Sequence, residues 1–130
     1  MSKVKVLVVE SEPWLGEQFQ RTLKKHDFSA ELTSNAYSAI DVVDDFRPDI
    51  IVMGLLLSGA GGLGLLHELQ SYTDTARVPV IVCSDMAALI SPDELQPYGV
   101  VRVLDTGVML PDDLPAAVRS VLGLAKGKLA

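Results

Sequence analysis

Five short apolar runs, each separated from the next by a stretch of helical periodicity, constrain this chain more than any other feature. The runs are Val4 to Val9, Phe28 to Thr33, Asp49 to Met53, Val80 to Cys83 and Val100 to Leu104. Most are continuously apolar and rich in β-branched residues, the pattern of strands buried on both faces. The third run is the sharpest: it is entered through Pro48 and stopped by Gly54. Between the runs, Leu15, Phe19 and Leu23 recur at helical spacing, as do Ala36, Ala39, Ile40, Val43 and Phe46. Leu65, Leu66 and Leu69 mark a further helical face, and Leu114, Ala117, Val118, Val121, Leu122 and Ala125 mark the last. Strands alternating with helices in this way predict one parallel sheet with helices on both faces, a doubly wound α/β domain.

Boundary residues support the same reading. Ser11 stands where it can cap the first helix, and Pro13 suits that helix's first turn. Ser34 or Asn35 caps the second. A long glycine-bearing loop follows the third strand, with a helix beginning near Leu63. Ser91-Pro92-Asp93-Glu94 has the form of a capping box and predicts a helix start. Residues 1–125 read as one domain and 126–130 as a short tail.

Composition narrows the function classes. A net charge of −6 lacks the basic stripe that phosphate-backbone binding requires, so neither nucleic acid nor an anionic membrane surface is an expected partner. The uncharged run from 50 to 66 is shorter than the roughly 20 apolar residues of a membrane span, and it contains five glycines and a serine. No signal-peptide pattern opens the chain, so a cytoplasmic protein is expected. Cys83 is the only cysteine and lies in an apolar run, which makes it core. His26 and His67 are isolated and read as solvated residues at helix positions.

In such sheets ligands and chemistry sit at the carboxyl ends of the strands. The stretches Val6 to Pro13, Pro48 to Gly54, Pro79 to Ser84 and Gly99 to Leu104 resemble the receiver domain of two-component response regulators, and the resemblance covers nearly the whole chain. It implies a flavodoxin-like sheet with strand order 2-1-3-4-5. It also implies a phospho-accepting aspartate after the third strand and two acidic residues after the first that hold Mg²⁺. A serine or threonine after the fourth strand and a lysine after the fifth would meet the phosphoryl oxygens. Those residue types suit phosphoryl transfer, which needs a nucleophile, a hard cation and donors for the developing charge.

At most of these positions the chain departs from the pattern. The acceptor position is Gly54, the acidic pair is Glu10 and Ser11, and the lysine position is Thr106. No lysine occurs between Lys25 and Lys126. Ser84 keeps the family's residue type, Asp85 places a negative charge where a small residue is expected, and Val103 stands at the aromatic switch position. Asp49 lies at the wrong end of its strand to replace the acceptor. The expectation is a receiver without an aspartyl acceptor, not an enzyme, with no cofactor and Mg²⁺ at most weakly held by Glu10 and Glu12. Its protein partner or second copy would meet the fourth helix, fifth strand and fifth helix through Met86, Leu89, Ile90, Val101 and Val103. For Met86 to Ile90 two readings stand, a partner surface or an inward fold over the strand ends. Ser84, Asp85 and the acids Glu10 and Glu12 likewise read either as pocket residues or as ordinary caps and solvated groups. Two other functions stay open. Gly59-Ala60-Gly61-Gly62-Leu63-Gly64 has the GxGxxG outline of a nucleotide-binding loop, and a non-standard residue such as Ser84 is a conceivable phosphorylation site.

Overall fold

The computed structural model describes residues 3–55 and 61–123. Strands β1 (Lys5–Val9), β2 (Ser29–Thr33), β3 (Ile50–Met53), β4 (Val80–Ser84) and β5 (Val100–Asp105) alternate with helices. The helices are α1 (Pro13–Lys25), α2 (Ala36–Phe46), α3 (Gly61–Gln70), α4 (Pro92–Leu95) and α5 (Asp113–Leu122). All strand pairs are parallel, in the order β2-β1-β3-β4-β5. The fold is the flavodoxin-like one that the strand alternation and the resemblance implied.

The period of two in each strand divides the core between the two faces. Leu7, Val9, Ile51, Met53, Val80 and Val82 point to one side, where Ala39 and Val43 of α2 and Leu65, Leu66 and Leu69 of α3 cover them. Val6, Val8, Ile50, Val52, Ile81 and Cys83 point to the other, under Phe19 and Leu23 of α1 and Leu114, Ala117 and Val118 of α5. Every residue of β3 is buried, because this strand lies in the middle of the sheet. Asp49 sits at the entry of β3, where its Oδ2 accepts from the Lys5 backbone N–H at 2.8 Å, far from the site at the other end.

Several local expectations are corrected. Glu12, not Ser11, occupies the N-cap position of α1, and it makes no side-chain capping bond. Asn35 does cap α2, accepting from the Ser38 N–H at 2.8 Å. Helix α3 begins at Gly61 rather than near Leu63. Gly61 adopts φ +80°, and the Gly62 N–H donates to the Leu55 carbonyl at 2.9 Å. The capping box at Ser91 does not form: the helix starts there but carries no side-chain capping bond and lasts four residues. Pro97 explains its brevity, since it has no N–H to continue the ladder, and the chain passes into a 3-10 turn over Gln96–Tyr98. Ala125 and the tail 126–130 lie outside the described residues.

Neither histidine is simply solvated. His26 Nε2 stands 3.1 Å from Asp112 Oδ1, and Arg119 Nη2 stands 3.3 Å from His26 Nδ1, so the end of α1 is tied to α5. His67 packs edge-on against the Tyr98 ring at 4.9 Å. Among the described residues no helix is long and apolar enough to cross a membrane.

Candidate functional site

Parallel pairing brings the carboxyl ends of β1, β3, β4 and β5 to one rim. There Glu10, Ser11, Gly54, Ser84, Asp85 and Thr106 line one cleft of about 620 Å³, together with Glu12, Trp14 and Leu55. All six residues named from the sequence for a degenerate phosphorylation pocket therefore meet in space.

Gly54 follows β3 directly and donates its N–H to the Val9 carbonyl at 3.1 Å. It is buried and has no side chain to offer. A Cβ built on it would stand 2.9 Å from Glu10 Oε1 and 3.8 Å from the Cys83 carbonyl oxygen. The Glu10 carboxylate thus reaches into the volume that a side chain at position 54 would use. The extra methylene of glutamate makes that reach, and the missing Cβ of glycine leaves room for it.

Glu10 is almost fully buried. Its Oε2 accepts from the Glu12 N–H at 3.0 Å. Burial raises its pKa above the ordinary value of 4.5, the backbone N–H groups of Glu12 and Ser11 partly oppose this, and the charge on Glu12 adds to the rise. The neighbouring Cys83 thiol is pushed up to about 12 by burial, with the Glu10 charge adding to the effect. It is a buried, inert thiol.

Ser84 Oγ accepts from the Met86 N–H at 3.0 Å, so the hydroxyl is engaged in its own turn and acts as a strand-end cap. Asp85 is exposed at the mouth of the cleft. Thr106 donates its N–H to the Ser84 carbonyl at 3.1 Å, which closes the rim between β4 and β5. Beyond it, Asp105 Oδ1 accepts from the Gly107 N–H at 2.8 Å and the Asp105 carbonyl accepts from the Met109 N–H at 3.0 Å.

A divalent cation such as Mg²⁺ needs oxygen donors in near-octahedral array. Glu10 is the one buried carboxylate lining the cleft among the described residues, and it already receives a backbone N–H. Glu12 and Asp85 are exposed. No group of three or more His, Cys, Asp or Glu among the described residues is placed to hold a metal ion. The described residues do not form a dedicated Mg²⁺ cage.

The glycine loop is only partly described: Gly59 and Ala60 fall outside. Gly62 is committed to packing, since a Cβ there would lie 2.7 Å from the Leu55 Cα and carbonyl oxygen.

On the face at α4, β5 and α5, Leu89 is 79%, Val101 51% and Met86 48% exposed. Ile90 and Val103 are partly buried and pack against the core. The segment Met86–Ile90 is therefore divided: a 3-10 turn at Ala87–Leu89 presents Leu89 outward and turns Ile90 inward.

Sequence reasoning missed two features. The reach of Glu10 into the Gly54 volume joins residues on different strands and leaves no local trace. An apolar groove of about 160 Å³ between α1 and α5, lined by Trp14, Met109 and Leu110, also escaped notice. A signal for it exists, because Trp14 stands off the Leu15-Phe19-Leu23 stripe of α1.

Comparison with known proteins agrees with this fold. The family description "Response regulator receiver domain" matches residues 6–114. A curated relative, the response regulator MprA of Mycobacterium sp. (strain KMS), is 28% identical over 82 residues, 63% of this chain and 36% of the relative. The chain thus spans about a third of the curated relatives it matches. Among solved structures, the chemotaxis response regulator CheY4 of Vibrio cholerae superposes with a TM-score of 0.80 at 17% identity, covering 92% of this chain and 99% of that one. The receiver domain of the sensor histidine kinase PA1611 of Pseudomonas aeruginosa PAO1, solved with a magnesium ion in its active-site cleft, gives 0.81 at 20% identity over 95% of this chain and 99% of that one.

Proposed function

The chain belongs to the response regulator receiver domain family, and on that premise we propose that it is a receiver without an aspartyl acceptor, a binding module of two-component signalling. One observation carries the reading: Gly54 stands at the end of β3, and the Glu10 carboxylate occupies the space beside it. A phosphoryl group would need a nucleophile on β3, and Gly54 has none. It would also meet two negative groups, Glu10 within and Asp85 at the mouth, with no lysine between Lys25 and Lys126 to compensate. Mg²⁺ is held weakly, through Glu10 alone, with Glu12 too exposed to add much.

Signalling in this reading runs through protein contact in a single resting state. The surface is the α4–β5–α5 face, with Met86, Leu89 and Val101 as its exposed apolar residues. The partner is a protein, or a second copy of the chain. Leu89→Arg tests this. Leu89 is mostly exposed, so the change should alter stability by no more than about 0.5 kcal/mol while abolishing self-association or partner pull-down. Unchanged association, or marked unfolding, would refute the surface.

A further inference from the structure

We propose that the seam between α2 and α3 docks a helical segment of a partner protein that carries an arginine or lysine one helical turn from a leucine-sized apolar side chain. The seam lies at the opposite end of the strands from the cleft, because Pro48 and Val78 on its walls lead into β3 and β4. It shares no residue with the cleft or with the exposed apolar residues of the α4–β5–α5 face, so it does not rest on the reading given above.

The first observation is shape. Two small cavities, of about 240 and 200 Å³, adjoin each other and share Val43, Asp44, Asp74 and Thr75. Both fall below the roughly 300–1,000 Å³ of an ordinary small-molecule pocket, and each suits one large side chain. Ile40, Val43 and Leu69 give the first cavity an apolar wall, and Val43, Pro48 and Val78 give the second one. The walls are preformed: Thr75 Oγ1 donates to the Leu69 and Tyr72 carbonyls, and Asp74 Oδ1 accepts from the Thr75 N–H at 3.1 Å. Adjoining hollows of this size between two helices suit the anchor residues of a helix laid in a groove.

The second observation is charge. Asp44, Glu68 and Asp74 line the first cavity, and no lysine or arginine does so among the described residues. Arg47 lines the second, so across the seam three carboxylates face one guanidinium. The stem of a partner's arginine or lysine would lie along Ile40, Val43 and Leu69 while its head meets the carboxylates. An acidic partner would be repelled, and a second copy of this chain, at a net charge of −6, is disfavoured on the same ground.

The third is a local rule broken at the same place. Asp44 and Asp45 stand in the last turn of α2, which holds no basic residue, and Glu68 stands in the last turn of α3. Carboxylates there oppose the helix dipoles, whose carbonyl ends are already negative. Folding alone favours cations at these positions, and departures from local preference concentrate at functional sites. Tyr72, 56% exposed on the wall of the first cavity, adds a ring face on which a guanidinium or ammonium group can rest.

The test uses three helical peptides of equal length that carry a leucine and, four residues away, arginine, methionine or glutamate. Calorimetry and the amide signals of the full chain follow binding. The arginine peptide should bind saturably, move the amides of Asp44, Leu69, Tyr72 and Thr75, and weaken as salt is raised. The methionine peptide should bind about tenfold more weakly, and the glutamate peptide more weakly still. Glu68→Lys should weaken the arginine peptide about tenfold and Tyr72→Ala about threefold, with melting temperatures near that of the parent because both residues are exposed. The proposal is overturned if the arginine peptide gives no saturable binding, if the three peptides bind alike, if Glu68→Lys leaves binding unchanged, or if the amide changes map to Met86, Leu89 and Val101 or to the cleft. Shifts at Tyr72 that grow with protein concentration without peptide would also overturn it, since a second copy would then fill the seam.

Discussion

The body of the sheet and its carboxyl rim are built from the same strands, yet they follow different rules. In the middle of the sheet every position is fixed by burial: Ile50 to Met53 are enclosed on both faces, and their side chains alternate between two apolar clusters. At the rim, at or just past the carboxyl ends of β1, β3, β4 and β5, burial alone no longer decides. Gly54, Glu10, Ser84 and Thr106 are set by what the cleft contains. The body keeps the family's fold; under the proposed function the rim lacks its acceptor. Fold and chemistry are therefore largely separable in this chain, because most of the two buried clusters lies away from the cleft.

The comparison is sharpened first by an attack on the body. Ile51→Ala removes a fully buried side chain from the central strand. It should cost about 2–5 kcal/mol in chemical denaturation, more than any single change at the rim. A loss below about 1 kcal/mol would show that the centre of the sheet is not where stability resides.

Next comes the junction of the two regions. A Cβ at Gly62 would press on the Leu55 backbone at 2.7 Å, and backbone cannot swing aside. Gly62→Ala should destabilise by about 1–3 kcal/mol by displacing the start of α3. If it is neutral, the glycines of this loop do not serve packing, and the nucleotide-binding reading of the loop gains ground.

The smallest effect is expected at the rim itself, from Glu10→Gln. The folded-state pKa of Glu10 is raised, with burial as the largest cause. A raised carboxylate pKa contributes stability below the unfolded value of 4.5, and that contribution is lost as pH rises through the folded value. The ionised group is thus a liability at neutral pH. Glu10→Gln should raise the melting temperature at neutral pH and do so less, or not at all, near pH 4. A lower melting temperature at neutral pH would mean that the carboxylate's bond to the Glu12 N–H outweighs its desolvation.

The body was legible in the sequence and the rim was legible only in part. Parallel strands buried on both sides read as unbroken apolar runs, so Val6 to Val9, Ile50 to Met53 and Val80 to Cys83 announced themselves. Strand ends marked where a cleft would lie, and the resemblance to receiver domains assigned Glu10, Gly54, Ser84 and Thr106 to it; the structure places these four on one rim. Distances were not legible. Nothing local to Glu10 says that its carboxylate reaches the Gly54 volume, and nothing local to His26 says that it meets Asp112 across 86 residues of chain. Local signals also misled where a later residue overruled them: Ser91 and Glu94 have the form of a cap, but Pro97 limits the helix to one turn. At Leu89 and Ile90 a 3-10 turn sends neighbours in opposite directions, Leu89 outward and Ile90 toward the core, which an unbroken apolar segment does not reveal.

The central claim is that this receiver takes no phosphoryl group on aspartate. Incubation with acetyl phosphate and Mg²⁺, followed by intact-mass measurement, tests it directly. The account predicts the mass of the unmodified chain throughout. A stoichiometric gain of one acid-labile phosphoryl group would contradict it, and would point to a carboxylate other than one at position 54, with Asp85 at the mouth of the cleft the first to substitute.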